Sequence, residues 1–560
     1  MTMRVGALLL AAALLGGIPA PAGAQTAVAP AVQPVPVDTA AIDKIFERWD
    51  RSASPGCAAG VSLGGQVVHS KGYGMANLEY GIRNWPTTVF ESGSVAKQFT
   101  AAAITLLAQD GRLSIDDPVR KYVPEIPDFG TPILIRHFLN HTSGIRSQWP
   151  MLTLAGRPPG MAVHTVPEIL ELVSHYKALN FKPGDEYLYN NTAFTLLGVI
   201  VERVSGKSLN AFTQERLFAP LGMTRTQWRE DFTAIVPNRA TAYRRMPDGT
   251  FRSNMPFTNV IGNGGLLTTV GDLLVWNDNL DRPRVGGPDF VTRMQTRGRL
   301  NDGFEIEYAQ GLNVTQYKGA REVSPGGSTA GYQTFLARFP DQGLSIAVLC
   351  NTTGTNPSRY AHEIADIILA DALKERPVVR AVGVAPEILE RMAGLYREPT
   401  TDAVLRLVWD AKGRAIRADG QALVPTGPGE FYTQDGSRRL STERGWPESV
   451  APGSLVETSG RARPRHWERQ PPYTPDAAQL NEFTGDYESE ELGVSYTFYV
   501  EGGALRLRFR PAQRLTLAPL FKDAFEADGN TIRFTRVPVG GVDGLLIYAG
   551  RARHVRFVRR

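Results

Sequence analysis

Residues 91–98, ESGSVAKQ, place a serine, Ser94, three positions before a lysine, Lys97, at the head of the apolar run FTAAAITLLAQDG. Side chains three apart on a helix share a face, so the Lys97 amine can reach the Ser94 hydroxyl. A lysine buried there gives up its proton more easily and can act as the base that activates the serine. The same spacing also describes a helix cap followed by a solvated lysine, and S-x-x-K is short enough to recur by chance. A second polar group stands at Tyr189-Asn190-Asn191 within FKPGDEYLYNNTAFTLLG. Pro183-Gly184 supplies a turn, a short strand follows, and a helix begins near Thr192. Tyr189 is thereby expected in a loop at a helix N-terminus, where a polar side chain can meet a substrate.

The elements that position these groups follow from periodicity. Phe99, Ala102, Ala103, Leu106 and Leu107 recur at helical spacing, which predicts an amphipathic helix stopped by Gly111. Residues 56–69 read as two strands around a Gly-Gly turn, and 333–339 and 344–350 as two more. Helices are expected at 167–176, 192–204, 209–217, 270–280 and 358–373. Strands at both ends with helices between them suggest an α+β domain whose antiparallel sheet is shared by its two chain ends. Past Lys374 the texture changes to short alternating strands that repeat. Leu389-x4-Gly394-x-Tyr396 returns as Leu480-x4-Gly485-x-Tyr487, and HWER at 466–469 as RFVR at 556–559, an offset of about 90 residues. Each copy holds about eight candidate strands, which points to two small up-and-down barrels.

Residues 1–24 have the pattern of a secretory signal: Arg4, an apolar core, then Ala22-Gly23-Ala24 as a cleavage site. The core is too short for a membrane span, and no other stretch is long and apolar enough, so a periplasmic or secreted protein without a membrane span is expected. The 560 residues divide into a linker at 25–40, a mixed domain at 41–375, a linker at 376–387, a first barrel at 388–470, a linker at 471–478 and a second barrel at 479–560. The net charge of +5 is small, and its basic C-terminal run alternates like one face of an edge strand. No aromatic-basic platform accompanies it, which argues against nucleic-acid binding. Two cysteines, Cys57 and Cys350, exclude a disulfide framework and a cysteine-based zinc site. His137-x3-His141 lacks the glutamate of zinc proteases and reads as a structural helix end; Gly262–Gly265 (GNGG) reads as a close backbone turn.

In order along the chain, GSVAKQFTA, LIRHFLNHTSGI, FKPGDEYLYNNTAFTLLGVIVERVSG, LFAPLGM, GNGGLLTTVGDLLVW and PGGSTAGYQTFLARFPDQGLSIAVLCN together resemble the penicillin-recognising serine hydrolases. That group includes class C β-lactamases, DD-peptidases, esterases of the same fold and D-aminopeptidases, and the paired barrels are similar to the D-aminopeptidase arrangement. The resemblance implies a β-lactamase-like sheet flanked by helices, an all-helical subdomain and two lipocalin-like barrels. It implies Ser94 as nucleophile, Lys97 as proton acceptor, Tyr189 in the proton relay and Asn191 holding substrate and orienting the lysine. Gly327 and Ser328 would line the substrate site, with the N–H groups of Ser94 and Ser328 as the oxyanion hole. No metal or organic cofactor is implied for this acyl transfer. It also makes the strands of Cys57 and Cys350 antiparallel neighbours, close enough for a bond that geometry could still forbid.

The chain departs from the family at one position. Relatives carry His or Lys where this chain has Pro325, which has no side-chain donor and no N–H. In relatives that group helps to bind a substrate carboxylate. The departure implies low activity or a substrate lacking a carboxylate there, unless Lys318 or Arg321 substitutes. The leading expectation is an exported serine hydrolase acting on peptide-like amides or esters, small-molecule or peptide. A β-lactamase or DD-carboxypeptidase is the second reading, and a binding or sensor protein without turnover the third. Nothing in the sequence fixes the oligomeric state.

Overall fold

Residues 57–63, CAAGVSL, are small or apolar at nearly every position, a composition suited to a strand covered on both faces. The structure, a computed structural model, describes residues 37–560 apart from 376–378, 428, 444–449, 461, 511–512 and 539. The signal-like residues 1–24 lie outside the described residues. Strand Cys57–Leu63 pairs antiparallel with Leu344–Cys350 on one side and with Gln66–Tyr73 on the other, through a turn in which Gly64 and Gly65 both have positive φ. The sheet continues from Leu344–Cys350 through Tyr332–Phe339 and Ala320–Ser324 to Asn313–Tyr317, and Gly326–Thr329 pairs beside Tyr332–Phe339. The two ends of the domain therefore share one sheet. Leu344–Cys350 is buried at every position, under helices Val270–Asp281 and Pro357–Ile368. The latter stops five residues short of the expected 358–373.

Cys57 and Cys350 stand opposite each other in register and are joined by a disulfide. The bond ties the first strand of the sheet to a strand 293 residues later.

Helix Lys97–Gln109 is not the one-sided helix that its apolar spacing predicts. It is buried from Lys97 through Leu107, polar positions included. Those positions are satisfied internally: Gln98 Oε1 accepts from Trp276 Nε1 at 2.7 Å, Thr100 Oγ1 donates to the Gly262 carbonyl at 2.8 Å, and Thr105 Oγ1 donates to Ala101 O at 2.8 Å. Helix Asn191–Ser205 packs against it, capped at its start by Asn190, whose side chain accepts from Ala193 N at 3.0 Å, and stopped at Gly206. Residues 209–217 divide into helix Leu209–Thr213 and a π-turn at Gln214–Phe218. The strand expected before Tyr189 is absent among the described residues; 181–190 is a loop.

Beyond the hydrolase domain, eight strands from Gly394–Arg397 to Arg465–Gln470 close into a barrel, with Tyr396 paired to Arg469 across the closure. The second copy has nine strands rather than eight. Its edge strands Gln513–Thr516 and Ala518–Phe521 are separated only by Leu517, so the sheet rolls back on itself without closing. The C-terminal strand Ala552–Arg559 is interior, between Gly485–Ser489 and Val542–Ala549, not the edge strand its alternating charge suggests. The repeated Gly-x-Tyr has one structural job in both copies. Tyr396 and Tyr487 are fully buried; their hydroxyls donate to Met392 O at 2.8 Å and Phe483 O at 3.0 Å, and Arg469 and Arg559 lie over their rings.

The disulfide yields a stability prediction. The denatured, unreduced protein is expected to show no free thiol. Cys57→Ser with Cys350→Ser should lower unfolding stability by roughly 2–4 kcal/mol in denaturant titration, because the cross-link restricts the unfolded chain. Two titratable thiols before reduction would contradict the bond.

Candidate active site

Ser94 sits in a 3-10 turn, Gly93–Ala96, that runs directly into helix Lys97–Gln109. Gly93 adopts φ 52°, a conformation open to glycine, and so turns the chain into the helix. Lys97 follows one turn later, fully buried. Its Nζ lies 3.1 Å from Ser94 Oγ, 2.9 Å from Asn191 Oδ1 and 2.5 Å from the Asn263 carbonyl. Among the described residues it has no carboxylate partner. Burial, aided by the charge of Arg551, holds the Lys97 amine well below the usual lysine range. A neutral amine has two N–H groups and one lone pair. With the N–H groups fixed on the two carbonyl oxygens, the lone pair is left for the Ser94 hydroxyl to donate to.

Tyr189 reaches the same centre from the loop before helix Asn191–Ser205. The Lys97 Nζ lies 4.8 Å from its ring centroid. Burial pushes its phenol up to about 12, with Ser94 and Arg551 pulling the other way, so it stays protonated at neutral pH. The ring is backed by His141, 4.3 Å away between centroids and fully buried, whose Nδ1 accepts from Asn190 N at 3.1 Å. Burial above all holds the His141 pKa well below the usual imidazole value, so this ring is neutral. His137 is elsewhere engaged, its Nδ1 accepting from Leu134 N at the start of its own helix. Among the described residues no group of three or more His, Cys, Asp or Glu side chains is placed to hold a metal ion.

The opposite wall is strand Gly326–Thr329. A Cβ on Gly327 would lie 2.1 Å from the Ser92 carbonyl and 3.0 Å from Ser94 N, so only glycine lets this strand close on the serine turn. The approach brings the Ser328 N–H beside Gly93, and hence the N–H groups of Ser94 and Ser328 to one place. Gly262–Gly265 is a close backbone turn whose Asn263 carbonyl also holds Lys97, a second role that its composition does not announce. A cleft of about 820 Å³ opens over Ser94, Tyr189, Asn191, Gly327 and Ser328, five of the six residues expected from the sequence; the sixth, Lys97, is buried beneath them, and Asn263 joins the lining.

Neither upstream cation compensates for Pro325. Lys318 pairs with Asp366 at 2.6 Å and Arg321 bonds Gln295 at 3.0 Å, away from the cleft. Pro325 is itself buried between two strands, and the cleft lining begins at Gly326. One cation in the cleft comes from the second barrel: Arg551, in the turn between strands Val542–Ala549 and Ala552–Arg559, lies 4.9 Å over the Tyr189 ring. The turn is held by hydrolase groups. Ser147 N and Asn180 Nδ2 donate to Arg551 O at 3.2 and 3.0 Å, and Arg553 N donates to Asn180 Oδ1 at 2.8 Å. Beneath it Arg146 donates to Arg553 O and His554 O and forms an ion pair with Glu491, both side chains almost completely buried.

A serine next to a buried lysine, a backbone wall and a helix-covered antiparallel sheet define a serine hydrolase of the penicillin-recognising type. Residues 41–371 match the family model described as Beta-lactamase, and the chain belongs to that family. It is similar to a D-aminopeptidase of Brucella anthropi, 28% identical over 472 residues, which cover 84% of this chain and 85% of that protein. In structure it resembles an octameric penicillin-binding protein homologue from Pyrococcus abyssi, with TM-score 0.55 and 24% identity over 86% of this chain and 100% of the other. A D-amino acid amidase from Ochrobactrum anthropi SV3, complexed with L-phenylalanine amide, matches with TM-score 0.51 and 21% identity over 60% and 99%. These two structural likenesses bear on the fold alone.

Two outcomes follow from this geometry. Gly327→Ala should lower kcat/KM by roughly 100-fold and also lower the thermal unfolding temperature, since an added methyl forces the strand off the serine turn. Fluorophosphonate labelling of Ser94 should rise with pH as Lys97 loses its proton, well below the ordinary lysine value of 10.5. It should then hold level until Tyr189 ionises near about 12. A labelling midpoint at the ordinary lysine value would contradict a neutral Lys97.

Proposed function

We propose that this protein is an exported serine hydrolase that cleaves peptide-like amides or esters through an acyl-enzyme on Ser94. The observation that carries the reading is the buried Lys97 amine, held by two carbonyl oxygens and facing the Ser94 hydroxyl. Ser94 Oγ attacks the substrate carbonyl as its proton passes to Lys97 Nζ. The developing oxyanion is met by the N–H groups of Ser94 and Ser328, each such donor typically worth about 3 kcal/mol in the transition state. Tyr189, protonated and beside both groups, passes its proton to the leaving amine or alcohol and takes up the one that Lys97 accepted from Ser94, so that the lysine is neutral again. Water then attacks the acyl-enzyme with Lys97 again as base, and Ser94 is released. Asn191 holds the lysine and faces the cleft, where it can also bind the substrate amide.

D-configured residues are the first substrates to try, given the similarity to a D-aminopeptidase over most of both chains. Export is supported by the signal-like N-terminus and by the Cys57–Cys350 disulfide, a bond that persists in oxidising compartments. A binder without turnover drew its support from Pro325, but that side chain does not line the cleft.

Reaction with a fluorophosphonate and with labelled penicillin, followed by a panel of D- and L-amino acid amides and esters, each with its amino group free and N-acylated, tests the proposal. Ser94→Ala should abolish labelling and turnover with unchanged thermal unfolding. Lys97→Ala should reduce kcat on the order of 10⁴-fold, because the two residues act as one unit. An Lys97→Ala enzyme that kept most of its activity would remove Lys97 from the base role.

A further inference from the structure

Building on the acyl-enzyme reading, we infer that Arg551 of the second barrel is the specificity-determining cation of the cleft and selects substrates bearing a carboxylate over those bearing an ammonium group. The charge inventory of the cleft is the first observation. Its lining holds one carboxylate, Glu91, and that group is already taken: Arg229 Nε donates to it at 2.9 Å and Arg239 at 3.3 Å, with Glu91 and Arg229 both almost fully buried. Arg551 and Arg244 also line the cleft, and among the described residues neither forms an ion pair with a carboxylate. A substrate entering here meets unpaired positive charge and no free negative charge. An ammonium would be repelled, and a carboxylate is the group that completes the site.

The second observation is how Arg551 is held. Its backbone carbonyl is bonded by Ser147 and Asn180, and the adjoining strand is pinned by the buried Arg146–Glu491 pair. The side chain is nevertheless exposed to the cleft, with its guanidinium over the Tyr189 ring. Stacking on an aromatic face leaves the in-plane N–H donors of a guanidinium open, the geometry that suits two parallel bonds to a carboxylate. The third observation is Asn263 Nδ2. This amide lines the same cleft on a residue only 6% exposed, and it has no hydrogen-bond partner. A buried donor without a partner is costly unless a ligand supplies one. The strand beside the nucleophile lines the cleft with Gly326, Gly327, Ser328 and Thr329, so it contributes backbone and hydroxyl groups and no charge.

The test is kcat/KM on matched ester substrates that differ at one point: a carboxylate, its carboxamide isostere, or an ammonium group. One series carries the group on the acyl part and a second on the leaving group. In at least one series the wild type should prefer the carboxylate and disfavour the ammonium. Arg551→Gln should there reduce the carboxylate-to-carboxamide ratio by roughly 10- to 100-fold, the span expected for a hydrogen bond to a charged group, with Arg551→Lys between the two. The ratio is the decisive reading, because a structural effect, or one transmitted through Lys97, lowers both members of a pair in parallel. Ratios unmoved by Arg551→Gln in both series, or a wild-type preference for ammonium, would overturn the assignment. Fluorophosphonate labelling of the wild type keeps the two readings apart. Labelling with unmoved ratios removes only the role of Arg551, whereas absence of both labelling and turnover removes the acyl-enzyme reading together with this inference.

Discussion

Everything around Ser94 is arranged about a lysine amine placed out of water with no acid among the described residues to balance it. Stripping an ammonium ion of its solvent costs several kcal/mol even after the protein relaxes, so the group sheds its proton instead. Neutral, the amine is directional, and its direction is set by two oxygens from different parts of the chain: Asn191 Oδ1 at the head of one helix and the Asn263 carbonyl in a glycine-rich turn. The full burial of helix Lys97–Gln109 serves the same end. A one-sided helix would leave Lys97 a route to solvent, where it would remain an ordinary cation.

Much of this was legible in the residues. The Ser94–Lys97 spacing, the Tyr189–Asn191 segment and the glycines ahead of Ser328 are local patterns, and each arrives where its spacing places it. The paired Gly-x-Tyr and Arg signatures of the barrels are legible for the same reason: each copy buries a tyrosine whose hydroxyl needs a nearby carbonyl, and the spacing records that need. The strands of Cys57 and Cys350 were expected as neighbours, but only the register of the sheet decides that the two cysteines face one another.

What sequence reading missed has a common physical cause. The hold of Asn263 on Lys97 uses a backbone carbonyl, which every residue has. His141 acts as a neutral ring beneath Tyr189, a packing role with no spacing rule, and its separation from His137 invited a comparison with metal sites instead. Helix Lys97–Gln109 looked one-sided because Gln98, Thr100 and Thr105 are polar, and their satisfaction by Trp276 and backbone carbonyls is a tertiary fact. Arg551 stands in a basic run that alternates like a surface strand. Its position depends on a docking surface between two domains that no local pattern encodes.

The docking of that hairpin also gives the site a history in time. Synthesis runs from the N-terminus, so Ser94, Lys97 and Tyr189 exist long before the strands around Arg551, and both strands joined by the Cys57–Cys350 bond precede them as well. A chain made only that far holds every residue of the Ser94 centre, while the wall contributed by the second barrel is still missing. The residues of the Ser94 centre are thus complete before the cleft is, and Arg146, which bonds the barrel hairpin, waits for a partner, Glu491, that lies 345 residues further along the chain.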